Sequence, residues 1–119
     1  MTQSVAIVDD DSAIRRLLRI WLERDGFSVS DYPDAQTAID GITSASCDLA
    51  CVDLGLSDMP GLELVQYLSQ ADVRLKIIVL SGRTESEIIA KAKDAGACDY
   101  LVKPTNSARV VSAVTRALR

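Results

Sequence analysis

Strand-like and helix-like segments alternate five times along this chain, and this alternation constrains the fold more than any other feature of the sequence. Runs with the length and composition of strands occupy residues 5–8, 27–32, 49–54, 76–81 and 99–102. A segment with apolar residues at helical spacing follows each run. Because strict alternation of strand and helix produces parallel strands, we expect an α/β protein with a parallel sheet and helices on both faces.

The composition of the runs predicts the order of the strands. Residues 5–8, 49–54 and 76–81 are mostly apolar, as strands buried on both faces are, whereas residues 27–30 alternate apolar and polar as an edge strand does. Five such units favour a doubly wound (βα)₅ fold with strand order 2-1-3-4-5. Ligands bind such sheets at the carboxyl ends of the strands, where the direction of winding reverses between strands 1 and 3.

Local signals predict where several helices begin and end. Asp11 and Asp34 stand at N-cap positions before helices 1 and 2. Thr84 and Glu87 form a capping-box pattern that predicts the start of helix 4, and Gly96 is expected to end it. The predicted apolar face of helix 1 comprises Ile14, Leu17, Leu18, Trp21 and Leu22.

Length and charge favour one globular domain, residues 1–119. The formal net charge of −4 argues against direct binding of nucleic acid. No apolar stretch approaches the length of a membrane span, and the N-terminal segment lacks the pattern of a signal peptide. We therefore expect a cytoplasmic location.

Cysteine and histidine usage excludes several kinds of site. Cys47, Cys51 and Cys98 form no CxxC pair, which predicts reduced thiols, and we expect Cys51 and Cys98 to be small core residues. The chain has no histidine, which excludes Ser–His and Cys–His nucleophile pairs and most zinc sites.

Polar and charged residues follow four of the five predicted strands. Asp9 and Asp10 end strand 1, Asp53 lies near the end of strand 3, Ser81 ends strand 4 and Lys103 follows strand 5. All of them are expected at the carboxyl edge of the sheet. The sequence therefore predicts three carboxylates, a hydroxyl and an ammonium group close together.

Such a cluster predicts metal-assisted phosphoryl chemistry. Clustered carboxylates are unfavourable unless a cation or protons intervene, and Lys103 neutralises one charge. Oxygen ligands of this kind suit Mg²⁺. A carboxylate can attack phosphorus to form an acyl phosphate, and Asp53, between the acid pair and the lysine, is the best placed nucleophile.

Four segments together resemble the receiver domain of two-component response regulators. They are VAIVDDD at 5–11, VDLGL at 52–56, VLSGR at 79–83 and GACDYLVKP at 96–104, and the resemblance runs from residue 4 to 118. It implies a flavodoxin-like fold. It also implies a signalling phosphoacceptor, which catalyses only its own phosphorylation and dephosphorylation.

The resemblance implies a role for each matching residue. Asp53 is the expected phosphoacceptor, supplied by a histidine kinase or a histidine phosphotransfer protein. Asp10 and Asp53 are expected to ligate Mg²⁺ directly, Asp9 through water, and Gly55 through its backbone carbonyl. Lys103 is expected to pair with Asp53 and then with the phosphoryl group.

The resemblance also implies a signalling switch. Ser81 is expected to hydrogen-bond the phosphoryl oxygen, after which Tyr100 turns inward and reshapes the face formed by helix 4, strand 5 and helix 5. An output domain, a downstream protein or a second phosphorylated copy is expected to read that face. The bond from Lys103 to Pro104 is expected to be cis.

Two positions after the phosphoacceptor depart from the family pattern. Ser57 stands where proline is usual, and Pro60 stands where aspartate is usual before Gly61. The shape and the acidity of that loop are therefore open at the level of sequence. Arg83 lies two residues beyond Ser81 and is positioned to lie over the phosphoryl group.

Three other functions compete with this hypothesis. A haloacid-dehalogenase-like phosphohydrolase shares the Asp, Ser and Lys chemistry, but Ala13 breaks its DxDx(T/V) signature at residues 9–13. A flavodoxin-like electron carrier needs a phosphate loop where this chain has three acids. A degenerate receiver that only binds partners is disfavoured because Asp10, Asp53, Ser81 and Lys103 are all present.

Overall fold

The computed structural model of the protein describes residues 2–44 and 46–119. Its strands are β1 (Ser4–Val8), β2 (Ser28–Tyr32), β3 (Leu49–Val52), β4 (Lys76–Ser81) and β5 (Asp99–Val102). Its helices are α1 (Ser12–Arg24), α2 (Ala35–Ser44), α3 (Gly61–Ala71), α4 (Ser86–Ala95) and α5 (Ser107–Ala117). The strands form a parallel sheet in the order β2-β1-β3-β4-β5, which confirms the predicted topology.

The sheet is covered on both faces because successive residues of its central strands point to opposite sides. Val8 of β1 belongs to a buried cluster with Leu64, to which α2, α3 and α4 contribute. Its neighbour Ile7 belongs to a second cluster with Leu22, to which α1 and α5 contribute. Full burial of one such side chain stabilises the fold by about 1.5–3 kcal/mol. The two layers together hold the carboxyl ends of β1, β3 and β4 in place.

The ends of three helices follow the predicted signals. Asp11 is the N-cap of α1, where its carboxylate accepts from the backbone N–H groups of Ala13 at 2.9 Å and Ile14 at 3.3 Å. Asp34 accepts from the N–H of Thr37 at 2.9 Å in the first turn of α2. Gly96 ends α4 with φ of 126°, a left-handed conformation that glycine adopts without strain.

The predicted capping box of helix 4 is wrong. Helix α4 begins at Ser86, and Glu85 is its N-cap without a side-chain bond to the helix. The Glu85 carboxylate instead binds the Arg83 side chain, at 2.9 and 3.2 Å from Nε. Thr84 therefore lies outside the helix, which begins one residue later than the capping-box pattern predicts.

Two other local predictions need correction. Cys98 is exposed, not a core residue, because it precedes β5 and pairs only through its main-chain N–H with Ile77. Cys51 is buried as predicted, and burial raises the pKa of its thiol to about 12.

On α1, Leu18 and Leu22 are buried and Trp21 packs against the core, but Leu17 is 45% exposed. The predicted apolar face is wider than the surface that the sheet covers.

Strand β2 lies at one edge of the sheet and alternates in burial, as predicted. Strand β3 ends at Val52 rather than at residue 54, so Asp53 is the first residue beyond it. Among the described helices, none combines the length and the apolar character that crossing a bilayer requires.

Candidate functional site

Three carboxylates meet at the carboxyl edge of the sheet. Asp9 and Asp10 follow β1, and Asp53 follows the neighbouring strand β3. Each offers one oxygen, and these oxygens all lie within 4.8 Å of one another. Asp9 is buried, Asp53 is partly buried and Asp10 is exposed. We call these three residues the acid cluster.

Lys103 bridges two members of the acid cluster. Its Nζ lies 2.7 Å from Oδ2 of Asp9 and 3.5 Å from Oδ1 of Asp53. The expected pairing with Asp53 is therefore present, but Asp9 is the closer partner. The bond from Lys103 to Pro104 is cis, as expected.

Both carboxylate oxygens of Asp9 are already engaged. Oδ1 accepts from the backbone N–H of Asp11 at 2.9 Å, and Oδ2 accepts from Lys103. Asp9 is only 2% exposed. An acid held in this way has little freedom to reach a cation directly, whereas Asp10 and Asp53 keep freer oxygens.

The electrostatics of the acid cluster favour a bound cation. Burial raises the pKa of Asp53, and the charge of Asp9 raises it further, while Lys103 and the backbone N–H of Gly55 oppose the rise. One ammonium group does not balance three carboxylates. The cluster of hard oxygen donors therefore fits a small divalent cation.

Two more predicted residues are linked through one residue of the β4–α4 loop. Ser81 is buried at the end of β4, and its hydroxyl accepts from the N–H of Arg83 at 3.1 Å. The Tyr100 hydroxyl donates to the carbonyl of the same residue at 2.7 Å. The Arg83 side chain is exposed and paired with Glu85, so here it does not lie over the acid cluster.

The loop between β3 and α3 carries an acid whose position the sequence analysis missed. The Asp58 carboxylate accepts from the N–H groups of Ala35 and Gln36, each at 3.0 Å, and these donors begin α2. They lower the pKa of Asp58. No local signal could have revealed this contact, because the donors lie 22 or 23 residues earlier in the chain.

Close packing requires glycine at position 61, a role that the sequence did not reveal. A Cβ added at Gly61 would meet the Cα of Leu54 and would lie 2.6 Å from the carbonyl oxygen of Asp53. The unusual pair Pro60-Gly61 at the start of a helix was the available signal. Pro60 is the N-cap of α3 and makes no side-chain bond there.

Comparisons with known proteins point to one family. Residues 5–115 match the family model of the response regulator receiver domain. The KDP operon transcriptional regulatory protein KdpE of Escherichia coli is 40% identical over 116 residues, covering 98% of this chain and 51% of that protein. The DNA-binding response regulator MtrA of Mycobacterium tuberculosis is 30% identical over 119 residues, covering 100% of this chain and 52% of that protein. The chain spans about half the length of these curated relatives.

Solved structures agree with this match. A CheY-like response regulator receiver domain protein from Methanospirillum hungatei superposes with a TM-score of 0.95 at 29% identity, covering 99% of this chain and 94% of that one. The chemotaxis protein CheY4 of Vibrio cholerae gives 0.94 at 27% identity, covering 99% and 100%. The family and fold expected from the four motifs are confirmed, and these matches favour them over a phosphohydrolase or an electron carrier.

Proposed function

The chain belongs to the response regulator receiver domain family, and we propose that Asp53 is the residue that accepts its phosphoryl group. The observation that carries this proposal is the position of Asp53, beyond the central strand β3, within the acid cluster and 3.5 Å from Lys103. Asp10 is more exposed and Asp9 is fully engaged in other bonds, which leaves Asp53 as the acid best suited to attack a phosphoryl donor.

The cation that we propose for the acid cluster is Mg²⁺. Asp10 and Asp53 would bind it directly, Gly55 would bind it through its backbone carbonyl, and Asp9 would bind it through water. When bound, Mg²⁺ neutralises charge on the carboxylates and on the phosphoryl oxygens. The support from this chain is the residual negative charge of the acid cluster and its hard oxygen donors.

The chemical step is a transfer from a donor nitrogen to a carboxylate oxygen. An oxygen of Asp53 attacks the phosphorus of a phosphohistidine on a histidine kinase or a histidine phosphotransfer protein. The P–N bond breaks, and its electron pair and a proton remain with the histidine of the donor. Lys103 then neutralises the phosphoryl group, and the Ser81 hydroxyl donates to one of its oxygens. The domain would catalyse only this step and the later hydrolysis of its own acyl phosphate.

The proposed output of phosphorylation is a change at the face formed by α4, β5 and α5. Movement of Ser81 toward the phosphoryl group would remove the acceptor of the Arg83 N–H, and the Arg83 carbonyl holds the Tyr100 hydroxyl. Tyr100 would then be released from the loop and turn inward. An output domain, a downstream protein or a second phosphorylated copy would read the altered face.

The setting proposed for the domain, residues 1–119, is a longer cytoplasmic regulator. Curated relatives named as transcriptional or DNA-binding regulators are about twice the length of this chain, which supports an attached output domain. The three free thiols are consistent with a reducing compartment.

Phosphorylation in vitro tests the proposal. The protein is incubated with acetyl phosphate and Mg²⁺, and intact mass is measured before and after the reaction. We expect one added phosphoryl group in the wild type and none in Asp53→Asn. Asp11→Asn is the matched control: it removes an acid from the same run but keeps a side chain that caps α1, so it should be labelled like the wild type.

Two outcomes would contradict the proposal. Labelling of Asp53→Asn, with the phosphoryl group mapped to Asp9, would support the phosphohydrolase alternative. Absence of any phosphorylated species in the folded wild type would leave the chain as a receiver that only binds partners.

A further inference from the structure

Arg15, on the first turn of α1, reaches back to the turn that carries the acid pair. Its Nη1 donates to the main-chain carbonyl of Asp9 at 2.6 Å. The side chain is only 16% exposed, so this bond forms where water competes little. Nothing in the proposed chemistry uses Arg15, although it lies one hydrogen bond from the acid cluster.

This bond completes the fixation of Asp9. Its N–H donates to the Tyr32 carbonyl at 3.2 Å, and its carboxylate accepts from the Asp11 N–H and from Lys103. Its remaining polar group is the carbonyl that Arg15 holds. Because a peptide unit is planar, fixing this oxygen also fixes the nitrogen and the Cα of Asp10.

The guanidinium group is itself anchored on β2. Its Nε lies 3.4 Å from Oδ1 of Asp31, an ion pair that lacks hydrogen-bond geometry. The same carboxylate is held by Arg19, with Nη2 at 2.8 Å and Nε at 2.9 Å from Oδ2. Asp31 is in register with Ile7 of β1. Arg15 therefore connects the Asp9–Asp10 peptide to strand β2.

We propose that Arg15 is a positioning residue for cation binding: it holds the Asp9–Asp10 peptide so that the Asp10 carboxylate faces Asp53. The inference rests on the proposed metal site. Without the bond from Arg15, repulsion among the carboxylates of the acid cluster would turn the Asp10 carboxylate away from Asp53. The bond keeps Asp10 in place before the cation arrives, so less ordering is needed on binding.

The charge of Arg15 and its hydrogen bond to Asp9 should have opposite effects on the affinity for the cation. A substitution of Arg15 can therefore tell the two effects apart. Arg15 forms its ion pair with Asp31, outside the acid cluster. In the described part of the chain, the carboxylates of the acid cluster form their ion pairs with Lys103. The positive charge of Arg15 by itself repels a divalent cation. If only its charge mattered, replacing Arg15 with a neutral residue would strengthen cation binding. If its hydrogen bond positions Asp10, the same replacement weakens binding.

The experiment is a calorimetric titration of Mg²⁺ into the full chain at constant ionic strength. We expect Arg15→Met to raise the Kd about tenfold, the lower end of effects seen when a partner of a metal ligand is lost. Arg15→Lys should raise it less, because the ammonium group keeps the charge and one donor. Arg19→Met is the matched control: it removes a neighbouring charge from Asp31, and its contacts are with Asp31, Glu23 and Val29 rather than with Asp9. Its Kd should be unchanged or lower.

A second readout separates binding from folding. The rise in Tm that Mg²⁺ causes depends on its Kd, and it should be smaller in Arg15→Met than in Arg19→Met at the same cation concentration. If Arg15→Met does not fold, Arg15→Lys decides the matter, because a Kd equal to that of the wild type would overturn the inference. A Kd for folded Arg15→Met equal to or below that of the wild type would also overturn it. A wild type that binds no Mg²⁺ would remove the proposed metal site itself, and that failure is recognised without any variant.

Discussion

Asp53 and Asp58 lie on the same loop, yet the fold shifts the pKa values of their carboxyl groups in opposite directions. Burial and the charge of Asp9 raise the pKa of Asp53. The N–H groups of Ala35 and Gln36 lower the pKa of Asp58. The charge of Asp53 is therefore unfavourable in the folded protein, whereas the charge of Asp58 is favourable.

The difference separates the acid proposed to accept the phosphoryl group from an acid that stabilises the fold. Asp53 lies among like charges, with Lys103 as a partial counterion at 3.5 Å. Asp58 is exposed and satisfies two of the free N–H groups that begin α2. A cation-binding or phosphoryl-accepting residue needs unsatisfied oxygens, and the fold tolerates the resulting repulsion because structural contacts such as that of Asp58 compensate elsewhere.

The largest effect is expected from a substitution at the end of the loop that carries both acids. Gly61 is the first residue of α3, directly after that loop, and a Cβ there would collide with the backbone of Leu54 and Asp53. Backbone cannot move aside as a flexible side chain does, so Gly61→Ala should lower the free energy of unfolding by about 3 kcal/mol. Urea denaturation monitored by circular dichroism measures this loss.

Gly82 offers the matched control for that substitution. A Cβ at Gly82 would meet no atom within 4 Å. Gly82→Ala should therefore leave stability nearly unchanged, or raise it slightly by restricting the unfolded chain. If both variants lost the same free energy of unfolding, the close contact at Gly61 would not be the cause of the loss.

Removing the charge of Asp53 should stabilise the protein. The pKa of Asp53 is higher in the folded than in the unfolded state, so the folded state binds the carboxyl proton more tightly. Stability therefore falls as pH rises from the unfolded pKa through the folded pKa. At pH 7 without divalent cations, Asp53→Asn should be more stable than the wild type by about 1 kcal/mol. The gain should vanish as pH falls below the ordinary Asp pKa of about 3.9. Urea denaturation at several pH values in EDTA measures both features.

Mg²⁺ provides an independent check of the Asp53 result. Binding of the proposed cation would stabilise the folded wild type, so its addition should narrow the difference in stability between wild type and Asp53→Asn. A variant that is less stable than the wild type at neutral pH in EDTA would contradict the view that the acid cluster is repulsive.

A smaller effect of opposite sign is expected at Asp58. Its folded pKa is lowered, so its charge contributes stability above the ordinary Asp pKa, and this contribution is lost as pH falls through the lowered folded value. Asp58→Ala should lower Tm at pH 7 by less than Gly61→Ala does, because Asp34 still caps α2 through Thr37. Thermal denaturation at neutral and acidic pH measures the difference, which should shrink in acid.

Glu85 is the matched control for Asp58. It is also an exposed acid at the start of a helix, but its carboxylate makes no bond to the N–H groups of α4. Glu85→Ala should therefore change stability by less than about 0.5 kcal/mol, as is usual for an exposed ion pair. If Glu85→Ala lowered Tm as much as Asp58→Ala, the N–H bonds of Asp58 would not be the source of its effect.

The contrast between the two acids also indicates what local patterns reveal. Asp53 was identified because it follows a buried apolar run, and burial of a strand is visible in its own residues. The sequence carries no local signal for the contact of Asp58, because its partners begin another helix. The departures at Ser57 and Pro60 left the shape of this loop open. Its shape proves to depend on the Asp58 contact and on the close packing of Gly61.

By itself the sequence determined the alternation of strands and helices, the strand order, and the placement of Asp9, Asp10, Asp53, Ser81 and Lys103 at strand ends. These features follow from hydrophobic periodicity, which depends on residues close together in the chain, and from the general rules of parallel sheets. Only the tertiary structure decided that Lys103 lies closer to Asp9 than to Asp53, that Arg15 holds the Asp9 carbonyl, and that Cys98 faces solvent. Such contacts depend on how separate elements pack, where a shift of one ångström changes the partner of a side chain, and no local pattern records that distance.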